Sequence, residues 1–110
     1  MSAQNKTEQI AFRMKLHPGQ AAAYAQRHDD IFPDLVLALK DAGVSDYSIW
    51  LDPDTHHLFA ILTRTNEHTM DQLPDTEVVK RWWAHMADIM ATDAHNVPDQ
   101  VPLTRVFYLP

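Results

Sequence analysis

The chain has 110 residues, 45% apolar and 22% charged, with a formal charge of −6 at neutral pH, which suits one packed core and is too little for two. Nine Lys and Arg against fifteen Asp and Glu disfavour nucleic acid and anionic membranes as partners, because both recruit basic patches. With no cysteine, disulfides, thiolate zinc ligands and thiol nucleophiles are excluded, and a reducing compartment, the cytoplasm, is the expected location.

Residues 1–8 read as a polar N-terminal tail, and 9–110 as a single domain. The start, MSAQNKTEQ, has no apolar run behind a basic segment, and no stretch approaches the roughly 18 apolar residues that span a bilayer. Ile10, Phe12, Met14 and Leu16 then alternate with Gln9, Ala11, Arg13 and Lys15, the period of a half-buried strand. Pro18 and Gly19 punctuate, after which Ala21, Tyr24, Ala25 and His28 share one helical face. Pro33 opens a second helix with Leu35, Ala38, Leu39 and Ala42 inward, and Gly43 is its stop.

Residues 44–51 and 57–64 are rich in β-branched and aromatic types, and Asp52-Pro53-Asp54 between them signals a hairpin. A short polar helix is expected around 66–72. Asp75 or Thr76 can cap a stronger helix running to about Met90, with Val79, Trp82, Trp83 and Met86 as its apolar stripe. A long loop with two prolines follows, of the kind that serves a site or an interface. Leu103 to Leu109 reads as a last strand held by sheet neighbours.

The order β, α-α, β, β, α, β predicts an α+β fold, a ferredoxin-like split βαβ sandwich. Helices can cover one sheet face, yet apolar residues fall on both: Tyr47, Ile49, Leu51, Phe59 and Ile61, and also Trp50, Leu58, Ala60 and Leu62. Sheet-to-sheet packing with a second copy covers the other face, so a homodimer of the dimeric α+β barrel type is expected.

Tyr24 and His28, at i and i+4, neighbour each other on a helix surface. They suit a phenol that binds substrate beside an imidazole that exchanges protons, and equally an amphipathic helix with an inward aromatic. Trp82 and Trp83 point about 100° apart, so one suits the core while the other can edge a pocket. Indole covers the C–H face of a pyranose and still offers one N–H donor. Tyr47 shares a strand face with Ile49 and Leu51, and its hydroxyl needs a partner, backbone or substrate. His56 and His57 flank a hairpin and face opposite ways, a poor chelate; no metal site is expected. With two glycines in all there is no phosphate cradle and no GxSxG elbow.

Over nearly its whole length the chain resembles the L-rhamnose mutarotases. The resemblance runs through Ala11-Phe12-Arg13-Met14, Pro18-Gly19, Tyr24-Ala25-Gln26-Arg27-His28, Ile31-Phe32-Pro33, Tyr47-Ser48-Ile49, Leu58-Phe59-Ala60, Arg81-Trp82-Trp83 and Val106-Phe107-Tyr108-Leu109-Pro110. It implies a homodimeric, cofactor-free α+β barrel that interconverts the α and β anomers of a six-carbon deoxysugar. His28 stands at the position of the family's proton donor, and Tyr24, Tyr47, Trp82 and Trp83 at its sugar-binding positions. The chain departs from the pattern at Phe32, where Trp is expected, and at Trp50, where Tyr is expected, substitutions that bear on the shape of the pocket.

Anomer exchange needs a proton taken from the anomeric hydroxyl and one given to the ring oxygen. An imidazole, titrating near neutrality, suits the second transfer; Asp52 or a bound water is the candidate for the first. Two other classes fit the same architecture: a dimeric α+β barrel oxygenase holding a flat conjugated ligand on the tryptophans, and a non-catalytic barrel that only binds a small ligand.

Overall fold

The computed structural model describes residues 6–110; the first five residues of the predicted tail lie outside them. The alternation of Ile10 to Leu16 produces β1 (Thr7–Lys15), which begins two residues before the expected boundary of the tail. Two helices follow, α1 (Ala21–Asp29) and α2 (Pro33–Asp41). Pro33 occupies the first turn of α2, where its missing N–H costs nothing. Gly43, at φ +95°, takes the left-handed conformation that ends α2, and a Cβ on it would lie 2.5 Å from Thr65 Oγ1.

The hairpin joins β2 (Val44–Leu51) to β3 (His57–Thr65). Asp52 builds the turn: its Oδ1 accepts from the backbone N–H of Asp54 at 3.0 Å, and its carbonyl accepts from His56 N–H at 2.8 Å. The expected short helix at 66–72 is displaced to a 3-10 segment at Met70–Asp75, which contains Pro74. Thr76 caps α3 (Glu77–Met86), its Oγ1 accepting from Val79 N–H at 3.4 Å. The helix ends four residues short of Met90. Ile89 and Met90 remain in the core, but Ala91 N–H bonds Lys15 O and His17 N–H bonds Ile89 O, each at 2.9 Å, so pairing with the end of β1 takes over the backbone.

All strands pair antiparallel in the order β2-β3-β1-β4, with β4 (Val101–Pro102) against Phe12 and Arg13. This is the ferredoxin-like α+β arrangement predicted. Met14, Leu16, Leu58 and Ala60 face the helices and pack with Leu35, Val79, Trp82 and Met86. The register places Trp50 opposite Phe59 and Ser48 opposite Ile61 on the other face, where Trp50 is 64% exposed.

The predicted last strand over 103–109 is corrected. Pairing stops after Leu103 N–H bonds Ala11 O at 3.0 Å, and the described residues leave the side chains that follow open: Val106 is 95% exposed, Phe107 76% and Leu109 78%. Arg105 bonds Gln9 Oε1 at 2.8 Å and lies over the Tyr108 ring. Among the described residues no helix is long and apolar enough to cross a membrane.

Candidate active site

The i, i+4 spacing on α1 does bring Tyr24 and His28 together, with ring centroids 4.4 Å apart and planes tilted by 35°. Tyr24 is the one buried residue of α1; His28 is half-buried. His28 Nδ1 lies 3.0 Å from the Tyr24 carbonyl oxygen. A carbonyl can only accept, so Nδ1 carries the hydrogen and Nε2 is left as the nitrogen that can exchange a proton. Burial lowers the imidazole's pKa from its ordinary value; the Tyr24 carbonyl bond and the Asp29 charge oppose it less strongly.

The tryptophans divide as their 100° separation implies. Trp82 is buried and meets the His28 ring edge-on, centroids 5.3 Å apart at 85°. Trp83 is half-buried. Phe32 stands behind Trp82, at 5.0 Å and 86°, without reaching the cavity wall, so it acts on the support of Trp82 and not on the lining itself. Trp50 turns to the opposite sheet face and hydrogen-bonds Ser48 Oγ at 3.0 Å. The expectation that it reshapes the pocket is therefore corrected: strand alternation sends its side chain away from it.

Tyr47 reaches the cavity through a β-bulge. Ser45 pairs with Thr63 and Ser48 with Ile61, so Asp46 and Tyr47 together oppose Leu62, with Asp46 at φ +48°. Without that extra residue, Val44 and Ile49 could not both point to the helices. Tyr47 leaves 39% of its surface open, yet the walls crowd its hydroxyl, and this desolvation pushes its pKa up to about 12. Burial, with the Tyr47 phenol nearby, also raises Tyr24 well above the ordinary phenol value. Both stay neutral hydrogen-bonding groups near pH 7, and among the described residues neither hydroxyl has a protein partner.

Tyr24, His28, Tyr47, Trp82 and Trp83 all line one cavity of about 1060 Å³ between the sheet and the helices. Its floor is apolar, with Phe12, Ile49 and Leu58 among its residues, and these five supply aromatic faces, two phenols and an imidazole. A neutral polar ligand with apolar patches, such as a sugar, fits that lining. Asp52 is not part of it. Its carboxylate is committed to the hairpin turn, where hydrogen bonds from the Asp54 N–H and from the Thr55 hydroxyl and N–H hold it below the usual carboxylate range.

Comparison with known proteins gives the family. The family model described as L-rhamnose mutarotase matches residues 9–109. The chain belongs to the L-rhamnose mutarotase family. Members of this family are isomerases that interconvert sugar anomers. An L-rhamnose mutarotase of Acidiphilium cryptum is 59% identical over 94% of this chain and 99% of its own. One of Rhizobium meliloti is 59% identical over 93% and 98%. The crystal structure of an L-rhamnose mutarotase from Formosa agariphila superposes with a TM-score of 0.87 at 46% identity, covering 94% of this chain and 99% of that one.

Sequence reasoning missed the bulge at Asp46 and the ion pair between Arg27 and Asp88. A left-handed non-glycine residue leaves no pattern in a strand, and no local periodicity links residues 61 positions apart.

Proposed function

We propose that the chain exchanges the anomers of L-rhamnose, or a closely related deoxyhexose, by cofactor-free acid/base ring opening with His28 as the proton donor. The observation that carries this reading is the fixed tautomer of His28 within a cavity walled by indoles and phenols. With Nδ1–H held by the Tyr24 carbonyl, the imidazolium gives its Nε2 proton to the ring oxygen. A water takes the proton from the anomeric hydroxyl, the C1–O5 bond breaks, and the C1–O1 bond becomes a carbonyl. Rotation about C1–C2 presents the other aldehyde face. On closure Nε2 takes back the O5 proton as the water returns one to O1. Tyr24 and Tyr47 orient hydroxyls, while Trp82 and Trp83 cover the C–H faces and the deoxy methyl.

NMR of freshly dissolved α-L-rhamnose tests the reading. Faster exchange between the anomeric signals is expected with the protein, and a loss of about 10² to 10⁴-fold in His28→Ala. Unaltered exchange, or full activity of His28→Ala, overturns it. Binding of rhamnose without exchange would favour the non-catalytic barrel instead.

The active unit in this reading is a cytoplasmic homodimer. Trp50, Phe59 and Ile61 on the open sheet face and the apolar arm at 106–109 support it, since a second copy would remove both from water. Light scattering at about micromolar concentration is expected to give twice the chain mass, and a lower value after deletion of residues 106–110. A full-length monomer overturns this part.

A further inference from the structure

The helix that carries His28 is weakly attached to the body. Of the nine residues of α1, only Tyr24 is buried, and no side chain caps its start. Its other anchor is Arg27, next to His28 in the last turn. Arg27 Nη1 donates to Asp88 Oδ1 at 2.7 Å and to the His85 carbonyl at 2.6 Å, while Nη2 donates to Asp88 Oδ2 at 3.1 Å. One guanidinium thus joins α1 to the C-terminal end of α3, satisfying a carbonyl where the helix dipole favours a cation. Three residues back from His85 on α3 is Trp82, the residue His28 faces. The Arg27 side chain is 23% exposed and that of Asp88 68%, so the contact lies at the surface, and the planar fork of the guanidinium is suited to the bidentate carboxylate contact, which an ammonium cannot reproduce.

Resting on the role of His28 proposed above, we infer that Arg27 is a positioning residue for anomer exchange: its three bonds to Asp88 and the His85 carbonyl fix α1 against α3 and hold the His28 ring edge-on to Trp82. Without them α1 keeps only the packing of Tyr24, Ala23 and the His28 ring itself, and water enters between His28 and the indole. The groups facing His28 are few. Tyr24 and Asp29 lie on its own helix, uncharged Trp82 and beyond it His85 on α3, and from β2 the neutral Tyr47 phenol approaches Tyr24. Added hydration therefore moves His28 back toward its ordinary titration.

The test combines two readouts on the full chain: anomer exchange by NMR, and titration of the His28 ring proton. Arg27→Gln is expected to lower kcat about ten- to a hundredfold, the scale of small misplacements in an active site, with KM little altered and the His28 inflection moved upward. Arg27→Lys, which keeps the charge but loses the fork, and Asp88→Asn, which keeps one acceptor, are expected to fall between it and the parent. They also serve if Arg27→Gln fails to fold. Asp34→Asn removes the ion pair of α2 with Arg81 and is expected to leave the His28 titration in place. An unmoved His28 inflection with full kcat in the folded Arg27 variants overturns the inference, as does an equal shift in Asp34→Asn. The titration reads the clamp even in a protein that exchanges no sugar, so failure here and failure of the proposed function are separable.

Discussion

His28 Nδ1 and the Tyr24 carbonyl oxygen, one helical turn apart, meet at 3.0 Å. The carbonyl is the acceptor that an i+4 amide N–H also uses within a helix, and its bond to the ring orients His28 by the backbone of its own helix. The tautomer is therefore set by local geometry, and the neutral ring has its lone pair on Nε2.

Burial depresses the pKa of His28 in the folded chain below the 6.5 of a free imidazole. Between that lowered value and 6.5 the unfolded chain binds a proton that the folded one does not. The stability contribution is complete above 6.5 and is lost as pH falls through the folded pKa. Urea unfolding at about pH 7.5 and about pH 5 is expected to show a larger loss for the parent than for His28→Gln. Equal losses would contradict the depressed titration.

Neither phenol hydroxyl has a protein partner among the described residues, so removing one leaves no donor or acceptor stranded. Tyr24→Phe and Tyr47→Phe are expected to melt within a few degrees of the parent while weakening sugar binding about three- to tenfold, the scale of one hydrogen bond. The melting temperature and the KM of anomer exchange check this. A large fall in melting temperature with unchanged KM would make the hydroxyls structural.

Trp82 and Trp83 differ in burial, and their truncations should differ in kind. Trp82→Ala empties a buried site between α1 and α3, at a cost of about 3–5 kcal/mol. Trp83→Ala removes a half-buried ring and should cost roughly 1–2 kcal/mol, with its main effect on sugar affinity. Urea midpoints separate the two; equal costs would refute the division into core wall and cavity edge.

Asp46 holds a left-handed backbone at φ +48° in the bulge that delivers Tyr47. Asp46→Gly is expected to be neutral or slightly stabilising, whereas Asp46→Val should cost roughly 1–2 kcal/mol, the penalty of that conformation for an L residue with a branched Cβ. A regular strand without the bulge would change which residues face the helices, so Asp46→Val should also weaken sugar binding. Denaturation and KM report the two effects, and a valine variant as stable and active as the parent would count against a strained bulge.

Local pattern made the elements legible. Period-two alternation marked β1, β-branched and aromatic residues around Asp52-Pro53-Asp54 marked β2 and β3, Pro33 and Gly43 bracketed α2, and Asp75 or Thr76 announced α3, because these signals act through neighbouring backbone and need no tertiary partner. The pairing of Tyr24 with His28 and the splitting of Trp82 from Trp83 followed from helical spacing for the same reason. Only the tertiary structure decided the rest. It put a bulge at Asp46 that brings Val44 and Ile49 to one face, set Phe32 behind Trp82 and left 106–109 open to solvent among the described residues. It also joined Arg27 to Asp88 across 61 residues. These outcomes depend on register and on which surfaces meet, and both are set by packing between elements distant in the chain.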